Sequence, residues 1–262
     1  MLLAIDAGNT ETKLGLFHAG TAAEEGALAQ TWRLSTGPRR TADEYGVTLA
    51  ALFRRDGFAT SAVRGIVISS VVPQKDQVLA EAFRTYFGLD PVFFTAASQR
   101  LMTIDTERPA ELGADLAASA IAARALYGSP AIVIGFGTAT TFGAIDREGR
   151  FLGTALAPGM RVAIDALVER AAKLPQFALS APPGPIGRDT VTALRAGFVY
   201  GFVGLTEGLV ARMKAIVGAE ARVVATGGLA EIIAAETRAI DAVEPHLVLY
   251  GLRAFANAGA PE

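Results

Sequence analysis

Residues 2–5, 12–18 and 28–35 each carry closely spaced apolar side chains between short polar breaks, and they predict three successive strands with tight connections. The spacing changes near residue 40. Tyr45, Leu49, Leu52 and Phe53 recur at helical intervals over 40–54, with Thr41 placed as an N-cap. Residues 65–71 then form an unbroken apolar run of β-branched type, as a strand buried on both faces of a parallel sheet requires. A second helix is expected over 77–87 and a short strand over 91–94, so the first part of the chain reads βββαβαβ.

A long helix is expected over about 110–127, after which the order restarts. Strands are expected over 131–134, 140–146 and 151–156, then helices over 160–172 and 190–217. A strand over 221–225 and helices over 229–236 and 246–258 complete the chain. Two stretches repeat one pattern: AIDAGNTETKLGLF at 4–17 and VIGFGTATTFGAID at 133–146. Both run from an apolar strand through a glycine turn and a threonine into a second strand. Where the first copy has Asp6, the second has Gly135. Matching turns in a matching strand order point to an internal duplication. The boundary is expected inside the long helix, giving domains 1–117 and 118–262.

Composition narrows the chemistry. At 262 residues, half of them hydrophobic (51%) and 19% charged, the chain can bury a large core or two modest ones. A net charge of −2 gives no electrostatic signature for nucleic acid or a membrane surface, so neither is expected as a partner. With no cysteine, disulfide frameworks, thiolate catalysis and zinc–thiolate sites are excluded. Only two histidines, His18 and His246, argue against a histidine metal site or a Ser-His-Asp triad. The opening MLLAIDAGNT lacks a basic lead and meets an acid at residue 6, unlike a signal peptide. The longest apolar tract, 196–210, is interrupted by glycines and Glu207 and is shorter than a membrane span. A cytoplasmic location is expected.

Four stretches carry candidate chemistry. DAGNTETK (Asp6 to Lys13) is a short glycine turn between strands, a shape that offers backbone N–H groups to a phosphate. Asp6 at a strand end could hold Mg²⁺ through water, since hard cations take oxygen ligands. Alternatively, Asp6 and Asn9 could merely supply turn hydrogen bonds. GFGTATT (Gly135 to Thr141) offers the same turn without the charge, and ATGGLAE (Ala225 to Glu231) is a strand, a glycine pair and a helix start. Three glycine turns at strand ends in a duplicated α/β chain share one answer, a nucleotide. ELGADLAASAIAA places Asp115 in the first turn of the long helix, either to interact with free helix N–H groups or to act as a general base toward a substrate hydroxyl.

Together with TADEYG, SSVVP, PAELGAD, GTATTF, APG, IGRDT, GFVYG and TGGLA, taken in order along nearly the whole chain, DAGNTETK resembles type III pantothenate kinase. The resemblance implies an α/β fold of duplicated ribonuclease-H-like domains of the actin and sugar-kinase superfamily, with a cleft between them, in a homodimer. It implies transfer of the ATP γ-phosphoryl group to the terminal hydroxyl of pantothenate, giving 4'-phosphopantothenate in the first step of coenzyme A synthesis. By the same resemblance Asp6, Gly8, Asn9, Thr10 and Lys13 handle Mg²⁺ and the ATP phosphates, with Asp6 at the metal. Gly137 and Thr138 contact ATP from the second turn, and Gly227 and Gly228 lie by the nucleoside. Gly113, Ala114, Asp115, Leu116 and Thr190 fall in the pantothenate site, with Asp115 as the base.

The chain departs from the family pattern at four places. Leu116 stands where the family's GADR motif has an arginine that anchors the pantothenate carboxylate, and leucine replaces neither its charge nor its paired donors. Arg108, Arg161 and Arg188 are the arginines that could supply the missing charge. Thr106 replaces a tyrosine and Ser119 an asparagine. Gly135 replaces the aspartate that binds a monovalent cation (K⁺ or NH₄⁺) in the family, so that cation is doubtful here. The residues therefore leave open a catalytically impaired nucleotide-binding protein with a regulatory role, or a kinase for another small hydroxylated acceptor.

Overall fold

The computed structural model describes residues 1–18, 27–37, 39–171 and 173–259. The chain forms two compact units. The first comprises 1–101, 108–122 and 248–262, the second 102–107 and 123–247. The expected division at 117/118 differs from these units in three respects: 102–107 goes with the second unit, the first runs on through 122, and the segment 248–262 belongs with the first.

The first unit is built on a five-stranded sheet of order β3-β2-β1-β4-β5, made of Leu2–Ala7 (β1), Glu11–Phe17 (β2), Leu28–Ser35 (β3), Gly65–Ser70 (β4) and Val92–Phe94 (β5). Strands β1, β2 and β3 are antiparallel, and β4 lies parallel to β1. Because side chains alternate along a strand, each sheet face can be read from its residues. Leu3, Ile5 and Ala7 share one buried cluster with Leu14, Leu16, Ile66 and Ile68. Helices α1 (Ala42–Arg55) and α2 (Pro73–Phe87) cover that face through Tyr45, Leu49, Phe53, Leu79 and Phe83. Helix α1 starts on a capping box in which Thr41 and Glu44 bond reciprocally. Helices α3 (Ala114–Tyr127) and α7 (Leu247–Asn257) pack tightly on each other: a β-carbon at Gly251 would lie 1.9 Å from the Ala118 carbonyl oxygen.

The second unit repeats this plan. Strands Ala131–Phe136 (β6), Ala139–Ile145 (β7), Phe151–Pro158 (β8), Arg222–Thr226 (β9) and Ala242–Val243 (β10) are ordered β10-β9-β6-β7-β8, the first sheet's order strand for strand. Even the register shift recurs: it falls at Leu16/Phe17 in β2 and at Ala144/Ile145 in β7. The core joins Ile132, Ile134 and Phe142 to residues of α4 (Met160–Arg170), α5 (Thr190–Val217) and α6 (Ala230–Ala234).

Several expected elements are corrected. The helix expected over 77–87 begins at Pro73, whose missing N–H and fixed φ suit a first helical position. The helix expected from residue 110 is a 3₁₀ turn at Pro109–Glu111 followed by α3 from Ala114. The helix expected over 229–236 is only Ala230–Ala234, and β10 was not anticipated at all. The end expected for α4, residue 172, lies outside the described residues.

Candidate active site

In the first unit Asp6 sits near the end of β1, in register with Lys13 on β2 and Ser69 on β4. Ile5 and Ala7 point into the core under α1 and α2, so by alternation Asp6, Lys13 and Ser69 share the opposite face. Asp115 enters from the first turn of α3. Its Oδ1 accepts the Leu116 N–H at 2.8 Å, and the Ser119 hydroxyl donates to its carbonyl oxygen at 2.8 Å. Residue 113 must be small, because a β-carbon there would lie 2.8 Å from Asp115 Oδ1.

These groups share one electrostatic field. Burial, reinforced by the Asp115 charge and by Glu11, pushes the Asp6 carboxyl up to about 7, against the pull of Lys13. Burial also raises Asp115, opposed by the Leu116 N–H and by Lys13. Two carboxyl groups that disfavour each other's ionisation form a place where positive charge is stabilised. Among the described residues there is no cluster of three or more His, Asp or Glu that could hold a metal ion. Mg²⁺ binds through one or two carboxylates and completes its shell with water and phosphate oxygens, a demand that the Asp6 carboxylate with Asp115 beside it can meet. Asp6 is the residue that would hold it.

The glycine turn beside Asp6 is clamped from a distance. The Gly8 N–H donates to the Glu11 carbonyl at 3.1 Å. Thr36 closes the other side: its N–H donates to the Thr10 carbonyl at 3.0 Å and its hydroxyl to the Gly8 carbonyl at 2.7 Å. Tyr45 in turn donates its hydroxyl to the Thr36 carbonyl at 2.9 Å. Asn9 and Thr10 are left exposed at the tip. Thr36 was invisible to sequence reasoning because it stands some two dozen residues from the turn it shapes.

The second unit brings three glycine segments together. Gly137 and Thr138 are exposed in the β6–β7 turn, where the Gly137 N–H donates to the Ala139 carbonyl at 3.0 Å. Gly159 packs directly on that turn, its N–H donating to the Thr138 carbonyl at 3.0 Å. Gly227, at φ +99°, lies against the Phe136 carbonyl, 2.4 Å from where a β-carbon would stand, and Gly228 faces open space. At Gly135 no side-chain carboxylate is present, and the position a β-carbon would take is 2.6 Å from the Thr141 hydroxyl.

The remaining candidates lie elsewhere on their units. Thr190 is exposed at the start of α5, next to the capping residue Asp189, and lines an open pocket of about 710 Å³ with Leu167, Leu174, Arg188 and Phe198. Ala114 and Leu116 are both buried, at 8% exposure. Leu116 thus occupies an apolar setting where the family pattern has a charge. Arg108, one of the arginines that could replace that charge, is paired with Glu111 at 3.0 Å.

Comparison with known proteins gives this geometry a family. A sequence model described as type III pantothenate kinase matches residues 2–212. The type III pantothenate kinase of Moorella thermoacetica is 47% identical over 253 residues, 97% of each chain. That of Roseiflexus sp. is 46% identical over the same share of each. Among solved structures, a Sinorhizobium meliloti protein assigned as a 2-dehydro-3-deoxygalactonokinase superposes with a TM-score of 0.60 at 14% identity, covering 100% of this chain and 98% of its own. A Campylobacter jejuni protein assigned to the Baf family of transcriptional activators gives 0.59 at 16%, covering 98% of each. At such identities these structures speak for the fold alone, a duplicated α/β architecture. Matched by a family model over most of its length and by relatives at nearly half identity end to end, the chain belongs to the type III pantothenate kinase family.

Proposed function

We propose that the protein transfers the γ-phosphoryl group of ATP to the terminal hydroxyl of pantothenate, giving 4'-phosphopantothenate for coenzyme A synthesis. The observation that carries this reading is the meeting of Asp6 and Lys13, register partners on one sheet face, with the Asp115 carboxylate from the first turn of α3, close enough to act on Asp6 electrostatically. Phosphoryl transfer asks mainly for positioning and charge stabilisation. Asp6 holds Mg²⁺, which when bound neutralises charge on the phosphate oxygens. The turn at Gly8, Asn9 and Thr10 and the Lys13 ammonium hold the phosphates. Gly137, Thr138, Gly227 and Gly228 receive the rest of the nucleotide. Asp115 takes the proton from the acceptor hydroxyl; burial makes it a stronger base than an ordinary carboxylate. Gly113, Ala114, Leu116 and Thr190 complete the acceptor site. Without a carboxylate at Gly135, turnover should depend little on K⁺ or NH₄⁺.

A second reading, weak catalysis or a less polar acceptor, draws support from the buried Leu116. One assay separates the two: ADP release with and without pantothenate, and with and without K⁺. Pantothenate-dependent release that Asp115→Asn lowers roughly 10²–10⁴-fold, with ATP binding retained, supports the kinase. Release indifferent to pantothenate overturns it.

Helix α5 is long and apolar enough to cross a membrane by length and composition alone, yet only 28% of its most apolar window is buried. Leu167 and Val162 on α4, Leu156 on β8 and Ile186 before α5 are also exposed. This apolar surface supports a homodimer.

A further inference from the structure

Ser69 is fully buried (0% exposed), and its hydroxyl has no hydrogen-bond partner among the described residues. An unsatisfied buried hydroxyl is destabilising, and native structures rarely keep one without a use for it. Its surroundings narrow that use. Ile66 and Ile68 of the same strand point into the core under α1 and α2, so Ser69 points to the other face. On that face its two register partners are Phe94 on β5 and Asp6 on β1. The Phe94 ring is packed edge-on against Phe255 and offers no acceptor oxygen. Asp6 offers a carboxylate on a strand about 4.8 Å away. A serine hydroxyl reaches about 1.4 Å beyond its β-carbon and a carboxylate oxygen somewhat farther, so rotation about χ1 alone brings them within hydrogen-bond range.

We infer that Ser69 is a positioning residue for Asp6: its hydroxyl donates to the ionised carboxylate and holds it in the orientation that receives the divalent cation. This rests on the reading of Asp6 as the metal-holding carboxylate. The hydroxyl is therefore unsatisfied in the ligand-free protein and contributes to metal binding instead of to the fold.

That division separates it from a structural serine. Mn²⁺ binding in the presence of ADP, followed by electron paramagnetic resonance, is compared for wild type, Ser69→Ala, Ser69→Thr and Asp6→Asn, with melting temperatures of the ligand-free proteins. Ser69→Ala should weaken Mn²⁺ binding about ten- to a hundredfold, as the loss of a hydrogen bond to a charged group implies at tenfold per ~1.4 kcal/mol. It should leave the melting temperature unchanged or higher, and Ser69→Thr should restore most of the affinity. Wild-type affinity in Ser69→Ala, with Asp6→Asn having lost the metal, overturns the role of Ser69 and spares that of Asp6. Unchanged affinity in Asp6→Asn overturns both. A lowered melting temperature in Ser69→Ala with Mn²⁺ binding intact assigns the serine to the fold.

Discussion

At Asp6 function and stability pull against each other. Its carboxyl is raised to about 7 by burial and by Asp115, so between roughly pH 4 and pH 7 the folded protein binds more protons than the unfolded chain. Stability from this group is therefore full below about pH 4 and falls as pH rises toward 7. Asp6→Asn should remove most turnover, yet raise the melting temperature of the ligand-free protein at about pH 8 and leave it little changed near pH 4. Thermal melts across pH check this, and a variant less stable than wild type at pH 8 would contradict it. Gly227 works the other way. At φ +99° against the Phe136 carbonyl it has no room for a β-carbon, and Gly227→Ala should destabilise the protein by more than ~1 kcal/mol, as read from urea denaturation. The carboxylates and glycine turns were legible in the sequence because each lies within a few residues of what defines it. Thr36 and Ser69 were not, because strand register, which pairs segments tens of residues apart, gives them their place.

Helix α1 shows how an element is held at its far end. Asp56 follows the last helical residue, accepting the Trp32 indole N–H of β3 at 2.7 Å and pairing with Arg55. Arg55 first, then Trp32, hold its carboxyl down to about 2. A depressed carboxyl stabilises the fold above about pH 4 and loses that contribution as pH falls from 4 to 2. Asp56→Asn should therefore lower the melting temperature at neutral pH, with the difference closing toward pH 2. A gap that persists unchanged at pH 2 would show that the effect is not electrostatic. Helix α1, with apolar periodicity and Thr41 as an explicit start, and α5, a long and largely apolar run, were readable to within two residues. The first turn of α2 was not, since PQKDQ carries no apolar period and only the proline marks it. The two residues of β10 are too few to show any alternation.

For the whole molecule, the duplication was legible because the two glycine turns and their flanking strands sit at matching places in the sequence, whereas the order of strands within each sheet came from the structure. The assembly expected from the exposed apolar surface around α4 and α5 is a dimer. Sedimentation at micromolar concentration should find one, and Leu167→Asp should shift it toward monomer; a wild-type monomer would refute it. The assignment of α7 to the first unit has a consequence for how the chain is made. Leu249 reaches the β2 glycine Gly15, Gly251 seats on Ala118, and Phe255 covers Phe94. The face that bears Asp6 is thus closed by residues made only after the second unit's segment 123–247. Synthesis can finish the sheet of the first unit early, but a nascent chain stalled before residue 247 leaves that sheet with one side bare, whatever the rest has achieved. Of the two units, the one that starts first is completed second.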